Sequence, residues 1–387
     1  GRGEDDRMNS EPRRPPPPVP VTILTGFLGS GKTTLMNRLL ADAALADTVV
    51  LVNEFGEVGL DHLFVEKVDG DMLLMASGCL CCTIRGDLVN ALEDLLRRLD
   101  NGRIKPFQRV VIETTGLADP APVLHAIMGH PYLGLRYRLD GVVTTVDGVN
   151  GLATIDRHRE AQRQVAVADR IVVTKTDLIA DGVGVDALMS RLADLNPGAP
   201  KLDGIRGEAD AAALLSAGLF EPARKIPDVE RWLQAEAVQA HGDHSRHAHD
   251  HGGHSHDPNR HDAAIAAFCL VRDRPLPPKA FELFLDLLRH AHGPKLLRMK
   301  GIVALADDPD RPVVVHGVQH LFHPAVRLEA WPDSDRRTRI VLILDGLGRE
   351  FAERLFAAAL GEPQVDTPDH EALRTNPLAP TSGGLLA

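Results

Sequence analysis

At 387 residues the chain is long enough for two domains and their connections, and 44% hydrophobic with 25% charged residues is ordinary for a globular protein. A net charge of −11 and 4% aromatic content argue against a nucleic-acid surface; no apolar run approaches the roughly 18 residues of a membrane span, and the polar opening GRGEDDRMNS is unlike a signal peptide. Four cysteines, three of them crowded at Cys79, Cys81 and Cys82, exclude a disulfide framework and predict a reducing, cytoplasmic setting.

Residues 1–19 end in PRRPPPPVP, a polyproline-like arm with nothing to pack. Over residues 20–225 short β-branched runs alternate with amphipathic stretches. The runs are VTILTG (21–26), TVVLVNE (48–54), RVVIE (109–113), GVVTTVD (141–147) and RIVVTK (170–175). They lack strict alternation, as strands buried on both faces do. RGDLVNALEDLLRRLDN (85–101) spaces its apolar residues three and four apart, predicting a helix. The alternation predicts an α/β doubly wound domain with a mostly parallel sheet. Residues 226–262 read as a histidine-rich linker. Residues 263–360 read as a smaller α+β domain: a strand at 264–273, a helix at 278–291, runs such as KGIVALAD, RPVVVHGV and RRTRIVLILDG, and a closing helix at 348–360. Residues 361–387 form a loose tail.

GFLGSGKTT, Gly26 to Thr34, follows the first strand and opens the first helix, with Gly26, Gly31, Lys32 and Thr33 in phosphate-loop register. Backbone from Gly26 through Gly29, Ser30, Gly31, Lys32, Thr33 and Thr34 is predicted to cradle nucleotide phosphates. Lys32 reaches the β- and γ-phosphates, and the Thr33 hydroxyl ligates Mg²⁺. The alternative is a glycine-rich strand-to-helix turn. In VVIETTG (110–116), Glu113 is placed to hold Mg²⁺ or its water, and the Gly116 N–H to meet the γ-phosphate. Otherwise Glu113 is a buried strand-end acid capping the next helix. In TKTD (174–177), Lys175 is a nucleotide-binding candidate, and Asp177 accepts from the guanine N1–H and exocyclic amine. Otherwise Asp177 is a solvated loop acid. NEFGEVGLDH (53–62), with Glu54, Glu57, Asp61 and His62, lies beyond a strand end where ligand crevices form, or is an acidic surface loop.

Cys79, Cys81 and Cys82 are a soft-metal donor set on a turn helped by Gly78. Three thiolates supply most of a tetrahedral Zn²⁺ site, and an open fourth position suits transfer rather than structure. Inert buried thiols are the alternative. The linker's His241, His244, His247, His249, His251, His254, His256 and His261 form a weak, multivalent collector for Zn²⁺, Ni²⁺ or Co²⁺, or a plain soluble tether.

In order along the chain, GFLGSGKTT, NEFGEVGLD, GCLCC, ETTGLADP and TKTD precede the histidine-rich linker, and LLRMKG and HGVQHLFHP follow it. Together they resemble the CobW-type P-loop GTPases, metal chaperones and metallocentre assembly factors. The resemblance implies GTP and Mg²⁺ binding, slow hydrolysis to GDP and phosphate, and delivery of Zn²⁺, in some members Co²⁺, to a client metalloprotein. By analogy it adds Glu54 to water and a client as candidates for the fourth zinc ligand. One departure is Thr174, where the guanine motif often carries Asn; lacking the amide that bridges base and phosphate loop, it predicts weaker nucleotide binding. No arginine finger or Ras-like glutamine is evident, so hydrolysis is expected to be slow. A client, or a second copy of the chain in a nucleotide-dependent homodimer, is a candidate for supplying what is missing. The separate C-terminal domain is the candidate client reader. No nucleic-acid or membrane partner is expected. The rivals are a metal buffer with a vestigial nucleotide site and a P-loop ATPase or kinase.

Overall fold

A computed structural model describes residues 16–42, 47–54, 64–68, 72–78, 84–179, 182–215, 265–319 and 321–362. In chain order the first part contains β1 (Val19–Gly26), α1 (Lys32–Leu40), β2 (Thr48–Glu54), β3 (Phe64–Val68), β4 (Met72–Gly78), α2 (Ile84–Asp100) and β5 (Arg109–Glu113). It continues through α3 (Ala121–Met128), α4 (Leu133–Arg136), β6 (Tyr137–Asp147), α5 (Gly151–Arg157) and α6 (Arg159–Ala166). It closes with β7 (Arg170–Thr174), α7 (Gly182–Leu195), β8 (Lys201–Asp203) and α8 (Ala211–Leu215). The second part contains β9 (Ile265–Arg272), α9 (Pro278–His292), β10 (Leu296–Val303), β11 (Val313–Val318), β12 (Leu321–Phe322), β13 (Val326–Arg327), β14 (Thr338–Asp345) and α10 (Arg349–Leu360).

The first sheet runs β3-β4-β2-β5-β1-β6-β7-β8, and every pairing is parallel except β3 with β4. Its middle strands β1, β5 and β6 are buried along most of their length because helices cover both faces. On one face α2 buries Leu88, Ala91, Leu92, Leu95 and Leu96, the i, i+3, i+4, i+7, i+8 stripe. On the other, Leu35 and Leu39 of α1 pack with Leu214 and Leu215 of α8. β3 (FVEKV) and β4 (MLLMASG) were not expected from the sequence; β4 pairs in parallel with β2, and β3 adds antiparallel to β4 at the sheet's edge. β6 also begins earlier than expected, at Tyr137, whose buried hydroxyl donates to the Leu92 carbonyl at 3.0 Å.

The second sheet is antiparallel, in the order β12-β11-β10-β14-β9 with β13 on β11. Helices α9 and α10 cover one face through Phe281, Phe284, Leu288, Ala352 and Phe356, the Phe284 and Phe356 rings lying 4.6 Å apart. From the other face, Leu297, Val318 and Ile343 join the core of the first part beside Val123, Ile127 and Val167. Covered on both sides, β14 is buried along its whole length.

An ion pair crosses this boundary. Arg298, in the LLRMKG segment, donates to the Val167 carbonyl at 2.6 Å and pairs with Asp169; both side chains are almost wholly buried. Burial would raise the Asp169 carboxyl, but Arg298 and then Lys300 outweigh it and hold it below the usual carboxylate range. The LLRMKG resemblance segment is therefore, in this fold, part of the seam between the two sheets.

Candidate functional site

β1 ends at Gly26, where φ is +147° and a Cβ would collide with the Thr145 hydroxyl and stand 2.6 Å from Ser30 Oγ. The chain then turns, the Ser30 N–H donating to the Phe27 carbonyl at 3.1 Å, and Gly31 enters the left-handed region at φ +87° so that α1 starts at Lys32. The result is a helix N-terminus opening onto a loop of backbone N–H groups, which is the geometry that receives phosphate. Lys32 folds over this loop, donating to the carbonyls of Gly26 at 2.8 Å and Phe27 at 3.1 Å. Burial pushes its pKa down, and the Glu113 carboxylate recovers part of that shift.

On the first turn of α1 the Thr33 hydroxyl donates to Glu113 Oε1 at 3.3 Å. Glu113 ends β5, in register with Leu24 of β1, and is 6% exposed. Beyond it, Gly116 lies against the phosphate loop: a Cβ there would stand 2.8 Å from the backbone nitrogen of Leu28. The Gln164 amide on α6 donates to the Gly116 carbonyl at 3.2 Å and the Ala118 carbonyl at 3.1 Å. Phosphate loop and Gly116 segment thus form one packed unit.

Below the loop, each of the adjoining strand ends contributes a buried threonine. Thr114 donates to Thr25 at 2.9 Å, the Thr145 and Ser30 hydroxyls meet at 2.7 Å, and Thr174 donates to the Ser30 carbonyl at 2.8 Å. The next residue, Lys175, takes a left-handed φ of +56° and reaches back, donating to the Gly29 carbonyl and to Asp147 Oδ2, each at 2.7 Å. Burial works to raise Asp147, but Lys175 and the Asn150 and Val149 N–H groups hold it below the usual range. Asp177 stands exposed on the following turn, and Thr176 anchors that turn to Asp203 at 2.9 Å. A basic ammonium, a helix N-terminus and paired hard-oxygen donors form a set that fits a Mg²⁺–nucleotide.

Residues 20–203 match the CobW/HypB/UreG nucleotide-binding domain, and residues 265–360 the cobalamin synthesis protein CobW C-terminal domain. The zinc chaperone YjiA of Escherichia coli K12 is 33% identical over 340 residues, 88% of this chain and 98% of that one. The chain belongs to the CobW family. The zinc chaperone CobW of Pseudomonas aeruginosa is 30% identical over 376 residues, 88% of this chain and 90% of its own. The crystal structure of Zn(II)-bound YjiA GTPase matches with a TM-score of 0.65 at 30% identity, covering 88% of this chain and 99% of that one.

In this CobW-family chain, Gly26, Gly29, Ser30, Gly31, Lys32, Thr33, Glu113 and Gly116 come together at one sheet edge, with Lys175 and Asp177 beyond β6 on the β7 side. Thr34 is exposed on α1 beside Thr33. The Thr174 hydroxyl reaches the phosphate loop through the Ser30 carbonyl. Glu54 ends β2 and is the register partner of Gly78, the last residue of β4, so the chain enters the cysteine motif beside Glu54. Cys79, Cys81, Cys82, Glu57, Asp61, His62 and the linker histidines lie outside the described residues. Among the described residues no group of three or more His, Cys, Asp or Glu could hold a metal ion, and no helix is long and apolar enough to cross a membrane.

Sequence reading missed Thr145, Asp147 and Gln164. A signal existed for the first: VTILT, IETT, VVTT and VVT all place threonine at the strand end, where alternation alone does not ask for it. Nothing in the sequence pointed to Gln164, which bonds a loop 46 to 48 positions away.

Proposed function

We propose that this chain is a GTP-dependent zinc chaperone, hydrolysing GTP slowly and passing Zn²⁺ from Cys79, Cys81 and Cys82 to a client metalloprotein. The observation that carries this reading is the strand order β4-β2-β5-β1, with Glu54 paired to Gly78 and Val52 to Glu113. Neighbouring strands lie about 4.8 Å apart, so the entrance to the cysteine motif is on the order of 10 Å from the strand bearing Glu113. Nucleotide and metal chemistry then share one sheet edge. The names of relatives support the same reading, including the zinc-regulated GTPase metalloprotein activator 1 of Schizosaccharomyces pombe, 38% identical over 174 residues, 42% of this chain and 40% of its own.

Mg²⁺, when bound through Thr33 and Glu113, supplies the positive charge that offsets the β- and γ-phosphates. Lys32 exchanges its carbonyl partners for phosphate oxygens. The Gly116 N–H meets the γ-phosphate, and Asp177 selects guanine by accepting from its N1–H and amine. Loss of the γ-phosphate frees the Gly116 segment, and the shift passes through β5 and β2 to the metal motif. Such gating requires that zinc affinity differ between nucleotide states.

The test is zinc affinity by competition with a chromophoric chelator, on the full chain, with GDP and then with a non-hydrolysable GTP analogue. A difference of about tenfold, near 1.4 kcal/mol, that vanishes in the Cys79→Ser, Cys81→Ser, Cys82→Ser variant is expected. Equal affinities would replace this reading with a metal buffer carrying an idle nucleotide site.

A further inference from the structure

Helix α6 is gripped from two directions. On one side it holds the Gly116 segment: Gln164 through the carbonyls of Gly116 and Ala118, and Arg163 through Asp119, with Nη1 to Oδ2 at 2.9 Å. On the other it holds the C-terminal sheet: Arg163 Nε donates to Asp345 Oδ2 at 3.1 Å, and Arg159 pairs with Asp345 Oδ1. Asp345 is the last residue of β14, 7% exposed, with its own N–H fixed to the Lys295 carbonyl at 2.8 Å. Just past the other end of α6, Arg298 of the second sheet binds the Val167 carbonyl and Asp169.

One guanidinium therefore joins a carboxylate of the nucleotide segment to a carboxylate of the C-terminal sheet. Its planar fork has fixed donor directions, so Asp119 cannot shift while Arg163 keeps both partners in good geometry. Gln164 adds a second mark. Its amide donates to two carbonyls of the segment, while its buried Oε1 has no hydrogen-bond partner among the described residues. A buried acceptor left in this way calls for an explanation, and a second position of the segment, with an N–H turned toward it, supplies one.

We propose that Arg163 is a positioning residue through which the C-terminal sheet and the γ-phosphate segment set each other's state. Nucleotide would then be read at β14, and contacts made to the C-terminal domain would alter the preference for GTP over GDP, because coupling is reciprocal. This rests on residues 113–120 being the segment that meets the γ-phosphate.

The test uses the full chain with Mg²⁺ and either GDP or a non-hydrolysable GTP analogue, following hydrogen exchange by mass spectrometry. In the native protein, exchange at 113–120, 159–166 and 338–345 is expected to differ between the nucleotides. Arg163→Met should keep the difference at 113–120, erase it at 338–345, and lower the preference for the analogue over GDP about fivefold. Asp345→Asn should do the same, and the double variant no more than either alone. Arg163→Lys, which offers one point charge in place of a fork, should not rescue the coupling. A purely structural Arg163 would lower the melting temperature while leaving nucleotide preference and exchange differences intact, and that result overturns the inference. So does native protein in which 113–120 responds to nucleotide and 338–345 does not, with the reading of the segment left standing. If 113–120 is itself silent, that reading fails and the inference falls with it.

Discussion

At the carboxyl edge of the first sheet Thr25, Glu113, Thr145 and Thr174 are buried beneath a loop that opens outward, whereas in the second sheet the buried polar residues Arg298, Thr338, Arg339 and Asp345 bond to other parts of the protein. Connection geometry accounts for the contrast. Parallel strands return through crossovers, so the loops that follow them collect on one edge and bring distant residues together. In the antiparallel sheet successive strands reverse direction, no edge collects every loop, and helices and the first part cover both faces. Burial of a polar group is thus a site signal only where several such groups converge on an open edge.

That contrast can be broken or sharpened by substitution. The largest effect is expected at the seam: Arg298→Met leaves Asp169 buried with its main partner gone, and should cost about 3–5 kcal/mol of unfolding free energy, measured by denaturant titration. A loss under about 1 kcal/mol would mean the seam is wetter than its burial suggests. At the open edge the response should be reversed. Lys32→Ala should weaken GTP binding roughly 100-fold, near 3 kcal/mol, in a fluorescent-nucleotide titration, with little change in melting temperature. A large stability loss with intact binding would make Lys32 a structural residue.

Asp177→Asn probes the same edge more finely. It should weaken GTP by about 2 kcal/mol and gain xanthosine triphosphate, whose base offers an acceptor where guanine offers a donor. Unchanged discrimination would return Asp177 to the status of a solvated acid. The smallest effect is expected at Asp140 on β6, buried away from the loop edge. Burial raises its carboxyl to about 6, against the opposing pull of Arg109, Arg138 and the Thr22 hydroxyl. A carboxyl whose folded pKa lies above its unfolded one contributes stability at low pH that is lost as pH rises through the folded value. Asp140→Asn should therefore stabilise the protein by about 1 kcal/mol at pH 7.5 and by less at pH 5, with nucleotide binding unchanged. Equal gains at both pH values would show that the carboxyl does not titrate there.

Much of this molecule is legible from local pattern. GFLGSGKTT, the runs that became β1, β2, β5, β6 and β7, and the helix at 84–100 carry their signals within a few residues, because backbone conformation and side-chain periodicity are set locally. The likeness to the CobW family rests on such segments too. What tertiary structure alone decided are the links between distant segments. β4 exists as a strand by pairing onto β2, and β3 by pairing onto β4; Thr174 reaches the phosphate loop 144 positions away; Arg163 joins Asp119 to Asp345; and Arg298 seats the second sheet on Asp169. Side-chain bonds across such separations leave no period in the sequence. They form only once hydrophobic burial has brought the two sheets and α6 together, and that arrangement is a property of the packed chain rather than of any one stretch of it.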